Sequence, residues 1–252
     1  ARLLVLLVAQ ALSAGLPAPR IALAAPTGRA AERMADSVRG ALQSLAAAGV
    51  DPALLAALPS NGTTLHRLLG TLADSPRFRH HADQPLPFDV VVVDEASMID
   101  LPLMAKLVDA VADGTRLVLL GDPDQLPSVE AGDVLAAILG AADEGSERAF
   151  AGVRAHLTRG YRQSDALHMA PLAGAVRAGD ADSALSLLRG GTLSNVHFHE
   201  GLVDPLQAHG ERLLAYWKSL AQAGTPAQAL LLANRLRILT GVREGPQGAR
   251  SL

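Results

Sequence analysis

Two short aliphatic runs constrain this chain more than any other feature. Residues 89–93 read DVVVV and residues 116–120 read RLVLL. Each runs straight into a polar cluster: Asp94-Glu95-Ala96-Ser97 after the first, Gly121-Asp122-Pro123-Asp124-Gln125 after the second. A strand that is apolar at every position must be covered on both faces, which is the condition of a central strand in a parallel sheet. The stretch between them, around 101–112, has helical composition. Strand, helix and strand of this kind make a right-handed βαβ unit, so the expected fold class is α/β with a doubly wound parallel sheet.

The alternation continues on both sides. Residues 20–25 (RIALAA) form another buried-strand candidate before Pro26, and 28–48 are helical in composition up to Gly49. Residues 49–62 read as a loop with one helical turn, and a helix starts at Thr63 and ends near 70–73. The opening run RLLVLLVAQAL has the look of a signal-peptide core, but it is far shorter than the roughly 20 apolar residues that span a bilayer. Gly15 and Pro17 behind it mark the end of a buried helix instead. Past Leu120 a helix is expected over 133–139, then an acidic loop at 143–147 and a change of character near residue 153. Beyond it the pattern suggests strands at 155–158, 195–199 and 236–240 and helices near 167–177, 182–188 and 205–222. Two domains are therefore expected, 1–153 and 154–252.

Composition narrows the function classes. Alanine (47) and leucine (44) dominate while aromatics are 3%, which favours closely packed helices and argues against an all-β sandwich. Cysteine is absent, excluding a disulfide framework, a zinc ribbon and thiol chemistry, and fitting an intracellular protein. The net charge of −3 hides an asymmetry: residues 82–150 carry 14 acidic and 3 basic side chains, the remainder 11 acidic and 19 basic. An acidic region beside a basic one suits a cation-assisted site next to a polyanion.

In open parallel sheets, ligands bind outside the carboxyl ends of the strands. Two strand ends that both deliver carboxylates repel unless a cation or water network sits between them. An Asp such as Asp94 at a strand end can hold Mg²⁺ through water beside nucleotide phosphates. Glu95 can orient and deprotonate an attacking water, and Gln125, both donor and acceptor, can sense a γ phosphate. The plain alternative for Asp94-Glu95 is a cap on the following helix. Other constellations carry less. His80, His81 and Asp83, and His197 with His199, have metal-like spacing but no third ligand of matching context. Tyr216 and Trp217 read as core or partner contacts, and no G-x-S-x-G elbow supports a hydrolase triad around Ser97.

VVVDEASMIDLPLM (91–104) and LVLLGDPDQLPSVEAGDVL (117–135) resemble motifs II and III of superfamily-one DNA helicases, in the wording of the RecD family, the α subunits of exodeoxyribonuclease V. APTGRAA (25–31) resembles motif Ia, TLHRLL (64–69) the segment that follows it, and LTRGYR (157–162) the motif IV stretch. FRHHADQPLPFD (78–89) and ILTGVREGPQGARSL (238–252) are similar to that family's connecting segments. The resemblance implies a RecA-like (P-loop NTPase) first motor domain and the start of a second. It implies an ATP-driven 5′ to 3′ helicase acting on DNA in double-strand-break repair and recombination, cytoplasmic, with RecB and RecC as partners. It assigns Asp94 to Mg²⁺, Glu95 to the attacking water, and Gly121, Asp122 and Gln125 to the nucleotide. Arg162 would be the arginine finger on the γ phosphate. Thr27, Gly28, Arg29, His66 and Arg67 fall to single-stranded DNA, through backbone phosphates because aromatics are few. A non-catalytic DNA-binding or assembly module of the same complex is the alternative; a magnesium-dependent nuclease using the acidic cluster is a third.

The family's phosphate loop, G-x-x-x-x-G-K-[ST], occurs nowhere in these 252 residues, and the motifs that complete the second motor domain are absent too. The resemblance thus covers an internal piece of the motor. Its main phosphate contacts would come from that loop's N–H cradle and lysine. Assayed alone, the 252-residue chain is expected to show no DNA-stimulated ATP turnover above background.

Overall fold

The computed structural model describes residues 2–123, 125, 133–143, 153–155, 157, 169–201, 204–245 and 248–250, and the chain separates into two compact units, Ala1–Thr158 and Arg159–Leu252. The first unit runs α1 (Arg2–Ser13), β1 (Ile21–Ala25), α2 (Gly28–Ala47), α3 (Pro52–Ala56), β2 (Thr63–Thr64), α4 (Leu65–Leu69), β3 (Val90–Val93), α5 (Leu101–Ala110), β4 (Arg116–Leu119) and α6 (Val134–Asp143). A turn of 3-10 helix at Ala96–Met98 lies between β3 and α5. The four strands form one sheet in the order β2-β1-β3-β4, every pair parallel.

Burial follows position in the sheet, and β4, although apolar over Leu117–Leu119, is less buried than β3 because among the described residues it is paired on one side only. β1 and β3 are buried at every position and occupy the centre. β2 and β4 are partly exposed and lie at the edges. Side chains alternate across the sheet with a period of two. Val91, Val93, Ala22 and Ala24 pack with Leu65, Leu69, Met104, Leu107 and Leu135 on the face covered by α4, α5 and α6. Val90, Val92, Ile21 and Leu23 pack with Leu4, Val8, Met34, Val38 and Leu58 on the face covered by α1, α2 and α3. On α2 the buried residues are Ala31, Met34, Ala35 and Val38, a single helical stripe. Two independent cores sandwiching one sheet are what doubly apolar strands require.

The sequence placed Thr63 inside a helix. In the structure Thr63 and Thr64 pair with Ala24 and Ala25 as a short strand, and Thr64 then caps α4 by accepting from Arg67 N–H at 3.3 Å. Two β-branched residues beside an open strand edge pair with it before the chain turns helical.

The second unit contains α7 (Ala170–Arg177), α8 (Ala181–Arg189), α9 (Pro205–Ala208), α10 (Gly210–Ala221) and α11 (Pro226–Ala233). α7 and α8 form a hairpin through Gly179, at φ 69°, with Leu172, Ala184 and Leu193 as its small core. Of the strand expected at 155–158, in the first unit, residues 156 and 158 lie outside the described residues and 155 and 157 are not in a strand. In the second unit the strands expected at 195–199 and 236–240 do not form. A strand needs a sheet to complete its hydrogen bonds, and the described residues of this unit contain none. The helix expected over 205–222 is broken at His209, before Gly210, whose backbone freedom disfavours helix interior. α11 was not anticipated, although its Thr225-Pro226 start is a plain capping signal. No helix among the described residues is long and apolar enough to cross a membrane.

At the amino-terminal edge of the sheet, Asp89 receives three hydrogen bonds from Arg20: backbone N–H at 2.7 Å, Nε at 3.1 Å and Nη2 at 2.9 Å. The Arg20 bonds hold the Asp89 carboxyl down at about 2. A depressed carboxyl stabilises the fold fully above its unfolded pKa of about 3.9 and loses that contribution as pH falls toward its folded value. Asp89→Asn is therefore expected to lower the urea midpoint at neutral pH. The gap to the wild type should close between about pH 4 and pH 2. Because both side chains are about half exposed, 63% and 47%, added salt should shrink the gap as well.

Candidate functional site

Because all four strands are parallel, their carboxyl ends meet at one edge of the sheet. The chain leaves β1 toward α2 and, after the next crossover, returns on the other side of it as β3. That arrangement puts the topological switch point between β1 and β3, where open sheets hold ligands. Along this edge lie, in order, the start of α4 after β2, the start of α2 after β1, Asp94-Glu95 after β3 and Gly121-Asp122 after β4.

The β3 tip is the most constrained part. Asp94 N–H donates to Ala24 O at 2.9 Å, continuing the pairing with β1, and Asp94 Oδ1 accepts from Glu95 N–H at 3.0 Å. Glu95 then turns into the left-handed region, φ 53° and ψ 40°, a conformation that costs a non-glycine residue about 1–2 kcal/mol. Ala96 N–H donates to Leu120 O at 2.8 Å, tying this turn to the end of β4. Asp94 and Glu95 are half-buried. The plain capping alternative fails for Glu95, which stands at the N-cap of the 3-10 turn without a side-chain cap bond. The cap of α5 is instead Asp100, which accepts from Leu103 N–H at 2.7 Å.

Immediately after the acidic pair, Ser97 is buried, and its Oγ has no hydrogen-bond partner among the described residues. A hydroxyl stranded in this way costs about 1–3 kcal/mol. Sequence reasoning met Ser97 only as a rejected nucleophile, since burial is not written in a single letter.

At the β4 tip, Gln125 is exposed and folded onto its own loop: its N–H donates to Asp122 O at 3.2 Å and its Nε2 to Asp122 Oδ2 at 3.4 Å. Gly121 is pressed onto the neighbouring tip: a Cβ there would stand 3.0 Å from Ser97 N and 3.2 Å from Ala96 N. The acidic dipeptide and the glutamine-bearing bend therefore lie on adjacent strand ends. Arg162 lies outside the described residues.

On the other half of the edge, Thr27 is the N-cap of α2, its Oγ1 accepting from Ala30 N–H at 3.2 Å. Its hydroxyl proton remains available to an outside acceptor. The Gly28 and Arg29 N–H groups precede the first helical bond, Ala31 N–H to Thr27 O, and no acidic side chain occupies the first turn. Space around Gly28 is open, and Thr27 and Arg29 are exposed. Ala25 pairs with Thr64, which brings His66 and Arg67, both exposed, to the same edge. The His66 ring stands edge-on to Phe78 at 5.8 Å.

Among the described residues no group of three or more His, Asp or Glu side chains could hold a metal ion, which removes the His80–Asp83 and His197–His199 clusters. A magnesium ion needs less from the protein: one or two carboxylates, with phosphates and waters completing the shell. A half-buried Asp94 at a strand end fits that donor requirement.

Residues 2–131 match the family model described as an AAA domain. Over 98% of its length the chain is 44% identical to the RecBCD enzyme subunit RecD of Mycolicibacterium smegmatis, covering 43% of that protein. The corresponding subunit of Mycobacterium tuberculosis is also 44% identical over 98% of the chain, with 41% of it covered. A stretch of 122 residues, 48% of the chain, is 39% identical to 14% of the ATP-dependent RecD2 DNA helicase of Deinococcus radiodurans. The chain thus spans about two fifths of the RecD proteins it matches along its whole length.

The strain at Glu95 can be checked apart from any chemistry. Glycine adopts φ 53° freely. Glu95→Gly is expected to unfold at the same temperature as the wild type or slightly above it, a gain of at most about 1 kcal/mol. The measurement is thermal unfolding followed by circular dichroism.

Proposed function

From the premise that this chain belongs to the AAA domain family, matched over residues 2–131, we propose that the full-length protein carrying it is an ATP-driven, 5′ to 3′ DNA helicase subunit. It would be a cytoplasmic protein working with RecB and RecC in double-strand-break repair and recombination. The similarity along 98% of the chain to subunits named RecD supports the family of activity. The observation that carries the site assignment is the meeting of the β3 and β4 tips, joined by Ala96 N–H to Leu120 O at 2.8 Å, at the carboxyl edge of the sheet.

In this reading Asp94 would hold Mg²⁺, which when bound would supply charge neutralisation to the phosphates. Glu95, next in the chain and turned away by its left-handed backbone, accepts a proton from the attacking water. On the adjacent tip, Asp122 sits beside the nucleotide and Gln125 follows loss of the γ phosphate. Arg162 supplies positive charge to the transferred phosphoryl group. At the β1 and β2 end of the same edge, the Thr27 hydroxyl and the Gly28 N–H donate to a DNA backbone phosphate. Arg29, His66 and Arg67 add charge and hydrogen bonds beside it. The two ligands thus share one sheet edge, and a shift at one strand tip reaches the other through β1 and β3.

The test is ATP hydrolysis by the full-length protein with single-stranded DNA. Glu95→Gln is expected to lower kcat by about 10²–10⁴-fold. Arg162→Ala is expected to lower it by about 10³–10⁵-fold. Neither should weaken DNA binding. Arg29→Ala should weaken binding to all sequences equally and reduce the slope of log affinity against log salt by about 0.7. Salt-sensitive DNA binding by a wild-type protein that never turns over ATP would favour the assembly-module reading.

A further inference from the structure

The end of β4 touches the turn after β3 at two residues: Leu120, whose O accepts from Ala96 N–H at 2.8 Å, and Gly121. A Cβ added to Gly121 would lie 2.6 Å from Leu135 Cδ2, 3.0 Å from Ser97 N and 3.2 Å from Ala96 N. Gly121 is not among the glycines with positive φ. Space, and not backbone conformation, is what this position demands of its residue. The three contacts differ in kind. Leu135 Cδ2 is the tip of a flexible side chain and can swing aside. The Ala96 and Ser97 nitrogens are backbone of the turn, anchored on one side by Ala96 N–H to Leu120 O at 2.8 Å. They cannot yield without moving Glu95, which the same turn holds at φ 53°. The buried Ser97 hydroxyl has no partner among the described residues, so none of them holds the turn through this side chain. The turn is held by Asp94 N–H to Ala24 O at 2.9 Å, by the buried Ala96 and Ile99, and by the β4 tip through Leu120 O and Gly121.

We propose that Gly121 is a positioning residue for Glu95: by carrying no side chain it lets the β4 tip seat against the 95–97 turn and aim the Glu95 carboxylate. Gly121 acts on Glu95 through this contact, a role separate from any backbone contact it makes to the nucleotide. The proposal rests on Glu95 being the water-activating group. It adds that the tip of the nucleotide-sensing loop sets the geometry of the base, so movement of that loop is felt directly at Glu95.

The experiment measures ATP hydrolysis by the full-length protein with saturating single-stranded DNA. Gly121→Ala is expected to lower kcat by about tenfold or more, since a displacement of a few tenths of an ångström at a reacting group has that order of effect. KM for ATP should stay within about twofold, whereas a lost phosphate contact would raise it. In a Glu95→Gln background, adding Gly121→Ala should change single-turnover hydrolysis no further. Leu135→Ala provides the control for folding. The pair Gly121→Ala with Leu135→Ala relieves the 2.6 Å contact yet keeps those to Ala96 and Ser97. It should unfold with Leu135→Ala alone and still show the kcat loss. A raised KM with kcat unchanged, additivity with Glu95→Gln, or full recovery of kcat on Leu135→Ala would each overturn the proposal. Should Glu95→Gln itself leave turnover intact, the reading of Glu95 fails first and the proposal falls with it.

Discussion

Parallel hydrogen bonding of β3 to both its neighbours is the constraint on which the rest of this molecule depends. Val90–Val93 pairs residue by residue with Ile21–Ala24 on one side and Arg116–Leu119 on the other. Because the strands run the same way, their carboxyl ends share one edge, and each crossover helix must return across a face. That single fact places the acidic tip of β3 between the helix N-terminus that follows β1 and the glycine-led loop that follows β4. It also explains the two separate cores, since a central parallel strand has no face to leave in water.

The two edges of the sheet are treated differently. At the amino edge Asp89 is held by three bonds from Arg20, while its own carbonyl accepts from Arg116 N–H at 3.0 Å. These bonds are matched in charge and geometry. At the carboxyl edge the chain instead tolerates unfavourable features within four residues: Glu95 in the left-handed region and a Ser97 hydroxyl with no partner among the described residues. Strain and stranded polar groups collect where a structure is organised for chemistry instead of stability. Placing both beside Asp94 marks this edge more firmly than the acidic letters do.

The charge asymmetry acquires a location as well. The acidic residues Asp94, Glu95 and Asp122 stand at the β3 and β4 ends, while Arg29, His66 and Arg67 stand at the β1 and β2 ends. A cation-assisted phosphate site and a polyanion track can then sit side by side without one repelling the other across a common surface.

Much of this was legible in the letters. Strand positions at 20–25, 89–93 and 116–120, the capping signals and the polar clusters came from periodicity and residue type, which are local properties of the chain. The second unit was less legible. Strands were expected at 195–199 and 236–240, where the backbone forms none. Short apolar runs specify a strand only if a partner edge exists, and that is a property of the whole fold. The site divides in the same way. Residue order alone determined that carboxylates follow β3, that a glycine and a glutamine follow β4, and that Thr27 opens a helix. Tertiary structure alone decided that β3 lies between β1 and β4, that Glu95 is bent into a left-handed turn, and that Gly121 presses on the backbone of Ala96 and Ser97. The reason is physical: propensity and capping act within a few residues, whereas adjacency in a parallel sheet joins residues tens of positions apart, and only the packed sheet determines which of them touch.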